Sequence, residues 1–200
     1  KGIECVAASE DIAAIDPAIA GECVCIDFTT PEAFRQNYPV LAANFKAVVV
    51  GTTGWNDIKD EVISCFEKAG TPMIYSSNYS IGVNVLFAAV KRASELLAGH
   101  GYTPSIHEVH HVHKLDAPSG TAKTLGSIVE KGIGQSVEIT SERIGEVPGI
   151  HSVKFLSGCD NLTFTHEAFS REGFAQGAVA AAQMTEGLEG VHDFQELLFK

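Results

Sequence analysis

The sequence predicts an α/β protein with two lobes, and two features of its pattern support that prediction. Over the first 78 residues, short β-rich runs alternate with helical runs, which is typical of a doubly wound parallel sheet with helices on both faces. Between residues 136 and 169, three strand-like runs follow one another without a helix, which indicates a second, more antiparallel sheet. The last helical run is rich in alanine and permits close packing, and we expect it to return to the first lobe.

The first lobe contains four predicted strands and two predicted helices. Thr30 before Pro31 predicts a helix start, because threonine caps a helix well and proline fits its first position. The predicted strands are IECVAA at 3–8, ECVCIDF at 22–28, KAVVV at 46–50 and PMIYS at 72–76, and the helices are PEAFRQNYPVLAAN at 31–44 and NDIKDEVISCFEKAG at 56–70.

The second lobe mixes helices with longer strands. The predicted helices are VNVLFAAVKRASELLA at 83–98, TAKTLGSIVEKG at 121–132 and GFAQGAVAAAQMTEG at 173–187, and the strands are PSIHEVHHVH at 104–113, SVEITSERI at 136–144, HSVKFL at 151–156 and NLTFTHEAF at 161–169. The chain has no internal repeat or linker, so we expect closely interleaved lobes. The first lobe would cover 1–79, the second 80–171, and the return to the first 172–200.

Composition excludes several classes of function. The net charge of -11 argues against broad nucleic-acid binding, and no apolar run is long enough to cross a bilayer. The cysteines are five, an odd number, and no secretory signal precedes them, so we expect reduced thiols in a cytoplasmic protein. Cys23 and Cys25 are spaced as a metal or redox pair could be, but strand alternation places both on one face, which favours burial.

Small polar turns follow the strands of the first lobe. They are Ser9-Glu10-Asp11, Thr29-Thr30-Pro31, Gly51 to Gly54, and Ser76 to Ser80. In open α/β sheets the ligand crevice lies beyond the carboxyl ends of the strands, so these turns would line it. The glycines at 51 and 54 bring bare backbone and two hydroxyls to that edge, which favours binding. The threonine pair at 29 and 30 could equally be an ordinary helix cap.

Four histidines lie in the run IHEVHHVHKLDAPSGTA at 106–122. On a strand, alternation would place His107, His111 and His113 on one face, and Glu108 and His110 on the other. This division weakens a zinc interpretation, which needs three or four converging ligands, and we predict no metal site. A single histidine is most often an ordinary polar group, but four beside Lys114 indicate proton transfer near neutral pH.

The turn after the histidines predicts an anion site. Pro118, Ser119, Gly120 and Thr121 stand at the head of a helix, where free N–H groups and the helix dipole attract negative charge. The hydroxyls of Ser119 and Thr121 could add hydrogen-bond donors. An ordinary capped helix start is the alternative, but it needs neither Lys114 nor the imidazoles. Together these residues describe a pocket for a small carboxylate beside a proton donor.

The run EVHHVHKLDAPSGTA at 108–122 resembles the signature of the 4-hydroxy-tetrahydrodipicolinate reductase family, also called dihydrodipicolinate reductase. The resemblance continues through IDFTTPEAF, VVVGTTGW, SSNYSIGVNV and SREGFAQGAV. It implies a Rossmann-like lobe that binds NADH or NADPH and an inserted α+β lobe that holds a cyclic dicarboxylate. It also implies a homotetramer that reduces 4-hydroxy-tetrahydrodipicolinate to tetrahydrodipicolinate in lysine and diaminopimelate biosynthesis.

The resemblance assigns roles to individual residues. His110 matches the proton donor or acceptor and Lys114 the catalytic lysine. His111, Gly120 and Thr121 match positions that hold the substrate carboxylates, and the helix-start argument adds Ser119. The implied cofactor-binding residues are Glu10, Asp11, Phe28, Thr29, Gly51, Thr52, Thr53, Ser76, Ser77, Asn78 and Tyr79.

Three departures from the family pattern matter. The glycine-rich turn expected before IECVAA is absent, and we expect an upstream segment to carry it together with the first βα unit. Asp11 stands where NADPH-using members often have arginine, and a carboxylate repels a 2′-phosphate, so we predict a preference for NADH. Ser105 replaces an acid at the start of the signature, and the segment after TSERIGEVPG is short, which leaves the oligomer contacts open.

Two alternatives remain at the level of sequence. One is another reductase with a Rossmann-like lobe, which would not explain HKLDAPSGTA. The other is a non-catalytic protein that binds a dicarboxylate or a partner and has no functional dinucleotide loop. The complete set of His110, Lys114, Gly120 and Thr121 argues against this second alternative.

Overall fold

The computed structural model describes residues 3–200 and divides the chain into two compact units. Among the described residues, unit 1 comprises 3–79 and 175–200, and unit 2 comprises 80–174. The strands are β1 (Val24–Asp27), β2 (Ala47–Val50), β3 (Met73–Tyr75), β4 (Thr103–His110), β5 (Glu138–Arg143), β6 (Gly149–Leu156), β7 (Asn161–Ala168) and β8 (Val191–Asp193). The helices are α1 (Pro17–Ala20), α2 (Pro31–Asn44), α3 (Lys59–Ala69), α4 (Ile81–Leu97), α5 (Gly120–Ile133), α6 (Glu172–Met184) and α7 (Phe194–Leu198), with 3₁₀ turns at Ile12–Ala14 and Asn56–Ile58.

Unit 1 contains a four-stranded sheet in the order β1-β2-β3-β8, and every pair is parallel. All four residues of β2 are buried, which explains its unbroken apolar run. One core cluster contains Phe34, Leu41, Val48, Val62, Phe66 and Met73, and the other contains Val49, Ile74, Tyr79, Ala178 and Phe194. The predicted parallel α/β class is therefore confirmed.

The start of α2 forms as predicted. The Thr30 side chain accepts a hydrogen bond from the Ala33 N–H at 3.2 Å, and Pro31 is the first helical residue. Neighbouring β1 carries Cys25, which is half-buried against the first core cluster. Burial, with the charge of Asp27, raises the pKa of the Cys25 thiol to about 12. This thiol is therefore held in its protonated form.

The predicted strand IECVAA at 3–8 does not form. Its side chains are exposed, with Ile3 at 51% and Val6 at 54%, and β1 pairs only with β2. An apolar run becomes a strand only where a neighbour pairs its N–H and C=O groups, and none does so among residues 3–200. The sequence analysis also missed β8 and α7, which are too short to show a clear period.

Unit 2 contains a mixed four-stranded sheet in the order β5-β4-β6-β7. β6 is antiparallel to both β4 and β7, whereas β5 is parallel to β4. One face packs with α4 and α5 into a core that includes Val83, Phe87, Ile106, Leu125, Val129, Val153 and Phe155. The other face presents more exposed residues, which explains the alternating burial of β4 and β6.

The histidine strand is shorter than predicted. β4 ends at His110, and residues 111–113 form a turn in which the Lys114 N–H donates to the His111 carbonyl at 3.2 Å. The prediction that His111 and His113 continue the strand face of His107 is therefore wrong. The part of the prediction that places Glu108 and His110 on one face is confirmed, because both are buried on the helix-packed face. Within residues 3–200, no helix is both long and apolar enough to cross a membrane.

Candidate active site

The first two strands of unit 1 end in a hydrogen-bonded cluster of polar side chains. Asp27 is the last residue of β1 and is buried, and the Thr52 hydroxyl donates to its carboxylate. The Thr29 hydroxyl donates to the same carboxylate at 3.1 Å, and the Thr29 N–H donates to Thr52 Oγ1 at 2.7 Å. These contacts join the turn after β1 to the turn after β2. Both turns were predicted to line the ligand crevice.

An aromatic ring lies over bare backbone beside this cluster. Gly51 donates its N–H to the Asp27 carbonyl at 2.8 Å, and a Cβ built on Gly51 would lie 2.2 Å from the Phe28 ring. Phe28 is 56% exposed, and Thr53 is also exposed. Glycine is therefore required for this close approach, and the ring and hydroxyl stand open at the carboxyl edge of the sheet.

The turn after β3 is held internally. Ser76 donates its hydroxyl to the Asn78 carbonyl at 2.8 Å and accepts the Asn78 N–H at 3.1 Å, while Ser77 is exposed. Tyr79 is buried, and its hydroxyl lies 2.9 Å from the carbonyl oxygens of Val50 and Ile74. Burial raises the pKa of its phenol. The Tyr79 side chain therefore braces the sheet from inside unit 1, and only its backbone belongs to the turn.

Glu10 and Asp11 occupy an exposed turn rather than the end of a strand. The Asp11 carboxylate accepts the Ala13 N–H at 2.9 Å and caps the first 3₁₀ turn, and Asp11 N–H donates to Ser9 Oγ at 3.0 Å. The hydrogen bonds found for Asp11 are thus local to its own turn.

Glu108 is the centre of the polar cluster in unit 2. Its side chain is completely buried. Oε1 accepts the Ser119 N–H at 3.0 Å and an Arg143 N–H at 3.3 Å, and Oε2 accepts the Ser119 hydroxyl. Burial is the largest single influence and opposes the charge, but Ser119, Ser141 and the nearby His110 together outweigh it and hold the pKa of the Glu108 carboxyl below its usual value. A negative charge is therefore fixed inside the unit.

Two histidine rings face this carboxylate. His110 Nδ1 lies 3.5 Å from Glu108 Oε2, and His151 Nε2 lies 3.6 Å from the same oxygen. The two rings meet edge to face with centroids 4.9 Å apart. Burial lowers the pKa of His110, and it lowers the pKa of His151 to about 4. Both imidazoles are therefore driven towards their neutral forms.

Lys114 and the start of α5 surround a carboxylate that belongs to the chain itself. Lys114 Nζ lies 2.7 Å from Asp116 Oδ1. The Lys114 ammonium holds the pKa of the Asp116 carboxyl below its usual value, and the Gly120 N–H acts in the same direction. Arg143 fixes this turn, because it donates to the carbonyls of Lys114 at 3.3 Å and Asp116 at 2.5 Å.

The residues of the predicted anion-binding turn at 118–121 differ in their exposure to solvent. Ser119 is buried, caps α5 by accepting the Ala122 N–H at 3.2 Å, and points its hydroxyl at Glu108. Gly120 is exposed with open space around it, and Thr121 is half-buried. Ser119 therefore supports the turn from beneath, whereas Gly120 is the residue that a ligand can approach.

A cleft of about 380 Å³ opens beside His111. Its lining is His111, His113, Glu146, Pro148 and Arg171, and His113 Nε2 lies 3.1 Å from Glu146 Oε1. The Glu146 carboxylate faces the same cleft beside His113, so Arg171 is the lining cation that an anionic ligand would meet.

Sequence reasoning missed Arg143, His151 and Arg171 as site residues. The placement of Glu108 on the face of His110 was available from alternation, but its partners lie on other strands of the sheet. Glu108, His110 and His151 each offer an atom within 4.8 Å of the others, as a metal site could. Both Glu108 oxygens already accept hydrogen bonds, from Ser119 and Arg143, so we interpret the cluster as a hydrogen-bonded network.

Two family models match almost the whole chain. Residues 3–79 match the model described as the N-terminus of dihydrodipicolinate reductase, and residues 82–198 match the C-terminus. A 4-hydroxy-tetrahydrodipicolinate reductase from Methanopyrus kandleri is 36% identical over 88% of this chain and 71% of its own length. One from Anaeromyxobacter dehalogenans strain 2CP-1 is 38% identical over 96% of this chain and 77% of its own.

A solved structure has a similar fold. It is a dipicolinate-bound dihydrodipicolinate reductase from Paenisporosarcina sp. TG-14, with a TM-score of 0.75 and 20% identity. The match covers 87% of this chain and 73% of the other. At that identity the likeness concerns the fold, whereas the family models and the closer relatives carry the assignment.

Proposed function

This chain belongs to the dihydrodipicolinate reductase family, and we propose that the residues described above perform that family's reaction, the NAD(P)H-dependent reduction of 4-hydroxy-tetrahydrodipicolinate to tetrahydrodipicolinate. The reaction delivers a hydride and a proton to the ring and releases water. Unit 1 would bind the dinucleotide and unit 2 the dicarboxylate. The bound nicotinamide supplies the hydride.

One observation carries the assignment of the dicarboxylate site. Lys114 Nζ forms an ion pair with the Asp116 carboxylate at 2.7 Å. Both Lys114 and the Gly120 N–H lower the pKa of that carboxyl. An ammonium and a helix N-terminus that hold one carboxylate are suited to another. We therefore propose that a substrate carboxylate takes the place of Asp116, held by Lys114, Gly120 and Thr121. His111 would bind the second carboxylate from the neighbouring cleft.

His110 is the proposed proton donor. It is the only one of the four clustered histidines that is buried, and it stands at the end of β4, just before the Lys114 turn. A buried imidazole near Lys114 can hold a proton away from bulk water and release it to the reduced ring. Lys114 would neutralise negative charge as it develops on the substrate. Ser119 would act from beneath, by holding the helix start in place.

The residues of unit 1 fit a dinucleotide. Gly51 bares its backbone under the exposed Phe28 ring, and the hydroxyls of Thr29 and Thr52 are fixed at the carboxyl ends of parallel strands. Open α/β sheets bind nucleotides at this edge. We propose that these residues, with Thr53 and the Ser76–Tyr79 turn, contact the cofactor. The 200 residues hold no glycine-rich pyrophosphate turn, so none is assigned to that group.

We propose that NADH is preferred over NADPH. Glu10 and Asp11 are adjacent exposed carboxylates, and a 2′-phosphate would be repelled by them. We also retain a homotetramer and a cytoplasmic location as proposals. The face of the unit 2 sheet that α4 and α5 leave uncovered is the surface we propose for self-association, and the five free cysteines support a reducing compartment.

A titration tests the proposal directly. NADH and NADPH are titrated separately by fluorescence, with and without pyridine-2,6-dicarboxylate, and turnover of the substrate is followed in parallel. We expect dinucleotide binding, tighter binding with the dicarboxylate present, and a higher kcat/KM with NADH. A chain extended upstream serves as the matched comparison for cofactor affinity.

Binding of the dicarboxylate without any dinucleotide by the extended chain would overturn the enzyme assignment in favour of a binding protein. Equal kcat/KM for the two cofactors would overturn only the NADH preference.

A further inference from the structure

The polar cluster of unit 2 contains a charged group that the proposed function leaves without a role. Glu108 is completely buried, so substrate cannot touch it. Burying a carboxylate is costly unless donors compensate it, and Ser119 and Arg143 provide those donors. Glu108 lies two residues before His110 on the same face of β4. Its buried charge therefore acts on that histidine.

The geometry orients the His110 ring. Nδ1 is buried and has no hydrogen-bond partner among the described residues, and the nearest acceptor shown for it is Glu108 Oε2 at 3.5 Å. A rotation of the ring that aimed Nδ1–H at this oxygen would convert the ion-pair contact into an Nδ1–H···O hydrogen bond. That bond would place the exchangeable proton on the other nitrogen, Nε2, whenever the ring is charged.

Other groups around His110 act on its proton in both directions. The turn contributes Lys114, which disfavours the charged ring, and Asp116, which favours it. Arg143 on β5 also disfavours the charged ring, and His151 on β6 packs against it edge to face. Burial is the largest influence and also disfavours the charge. Glu108 is the stronger of the two charges, Glu108 and Asp116, that favour the imidazolium form of His110.

The same carboxylate also ties the substrate turn to the histidine. Its Oε1 receives Ser119 N–H, at the start of α5, and Arg143, which donates to the carbonyls of Lys114 and Asp116. Gly149 leaves room for the His110 ring, because a Cβ there would lie 3.2 Å from His110 Nε2. One buried charge thus contacts the proton donor and the anion-binding turn together.

We infer that Glu108 is the positioning residue of this site: it directs His110 Nδ1 inward, keeps the imidazolium form attainable, and locks the Lys114–Ser119 turn at a fixed distance from that ring. The inference rests on the proposed function for its kinetic consequences. The orientation of the ring can be measured without it.

Glu108→Gln tests the charge while keeping the shape and an acceptor for Ser119. Without the anion the His110 pKa falls, so the acid form is lost at lower pH. We expect the alkaline limb of the kcat/KM profile to move down by ~1 pH unit, as loss of a close opposite charge does. We expect kcat to fall ~10- to 100-fold with little change in the substrate KM, because the acid itself remains and its complete loss would cost ~10²- to 10⁴-fold. Glu138→Gln, an exposed acid on β5, is the control.

A lower kcat with an unmoved pH profile would overturn the inference, because a purely structural role would behave in that way. If Glu108→Gln does not fold, the wild-type chain decides by ¹⁵N NMR of its histidine side chains. His110 protonated at Nδ1 near neutral pH supports the inference, and a neutral ring protonated at Nε2 overturns it. Failure of the proposed function would instead appear as no turnover in the wild-type chain, whatever the tautomer.

Discussion

Asp27 in unit 1 and Glu108 in unit 2 are both buried carboxylates near the ends of strands, but their surroundings differ. The partners of Asp27 are the hydroxyls of Thr29 and Thr52. Glu108 also receives a serine hydroxyl, and in addition it meets the Arg143 guanidinium and two imidazoles. In both units, therefore, a carboxylate on a strand holds a turn that follows it, but the partners of the two carboxylates differ.

The difference lies in what the partners can do with charge. A hydroxyl satisfies a buried carboxylate and fixes geometry, but it does not titrate in the working range of an enzyme. An imidazole beside a carboxylate can gain and lose a proton near neutral pH. In the proposed function, the Asp27 cluster of unit 1 would therefore hold a ligand in place, whereas the Glu108 cluster of unit 2 would hold a ligand and move a proton.

Removing the cation of unit 2 has the largest expected effect. Lys114→Met removes the ammonium 2.7 Å from Asp116 and, in the proposed complex, the group that neutralises developing charge. We expect kcat/KM to fall ~10³-fold, as for loss of one strong electrostatic contact to the transition state. The measurement is steady-state kinetics at saturating NADH. Lys123→Met is the charge control, because Lys123 is an exposed lysine on α5. A loss below tenfold would mean that the catalytic cation is elsewhere.

Titration of a buried histidine in unit 2 should also change the free energy of unfolding. His151 has a folded pKa of about 4 against 6.5 for the unfolded chain, so the unfolded chain takes up the proton first. Its contribution is complete above pH 6.5 and decreases as the pH falls towards 4, by up to about 3 kcal/mol in total. Urea unfolding between these pH values should show the loss, and His151→Gln should flatten it.

His100→Gln is the control for that series, because His100 is an exposed histidine of the same unit. A pH dependence that survives unchanged in His151→Gln would show that other groups cause it. These include His110 and His166, because burial lowers their pKa values as well.

Neutralising the carboxylate of unit 1 has the smallest expected effect. Asp27→Asn keeps an acceptor oxygen but removes the charge that Thr29 and Thr52 share, a change worth ~1–2 kcal/mol. We expect the Kd for NADH to rise ~10-fold, while the affinity for pyridine-2,6-dicarboxylate stays the same. Isothermal titration of both ligands checks this, with the exposed Asp60→Asn as control. Weaker binding of pyridine-2,6-dicarboxylate by Asp27→Asn would show that the Asp27 cluster does not act on cofactor binding alone.

The local elements were the most predictable part of the molecule. Thr30-Pro31 marked the start of α2, and the alternation of β4 correctly placed Glu108 beside His110. IECVAA carried the same kind of signal and formed no strand, because pairing depends on a neighbour that the run itself does not encode. His111 and His113 left the strand because the chain turns directly after His110.

The sequence by itself determined the α/β class, the family and the histidine, lysine and glycine set of the signature, since periodicity and short motifs are local properties. Only the tertiary structure decided that Ser119 faces inward, that Tyr79 braces a sheet, and that Glu108 meets its partners. Arg143 and His151 lie 35 and 43 positions after Glu108 and reach it because β5 and β6 flank β4. Contacts between such distant residues depend on strand order and register, which a single sequence does not display.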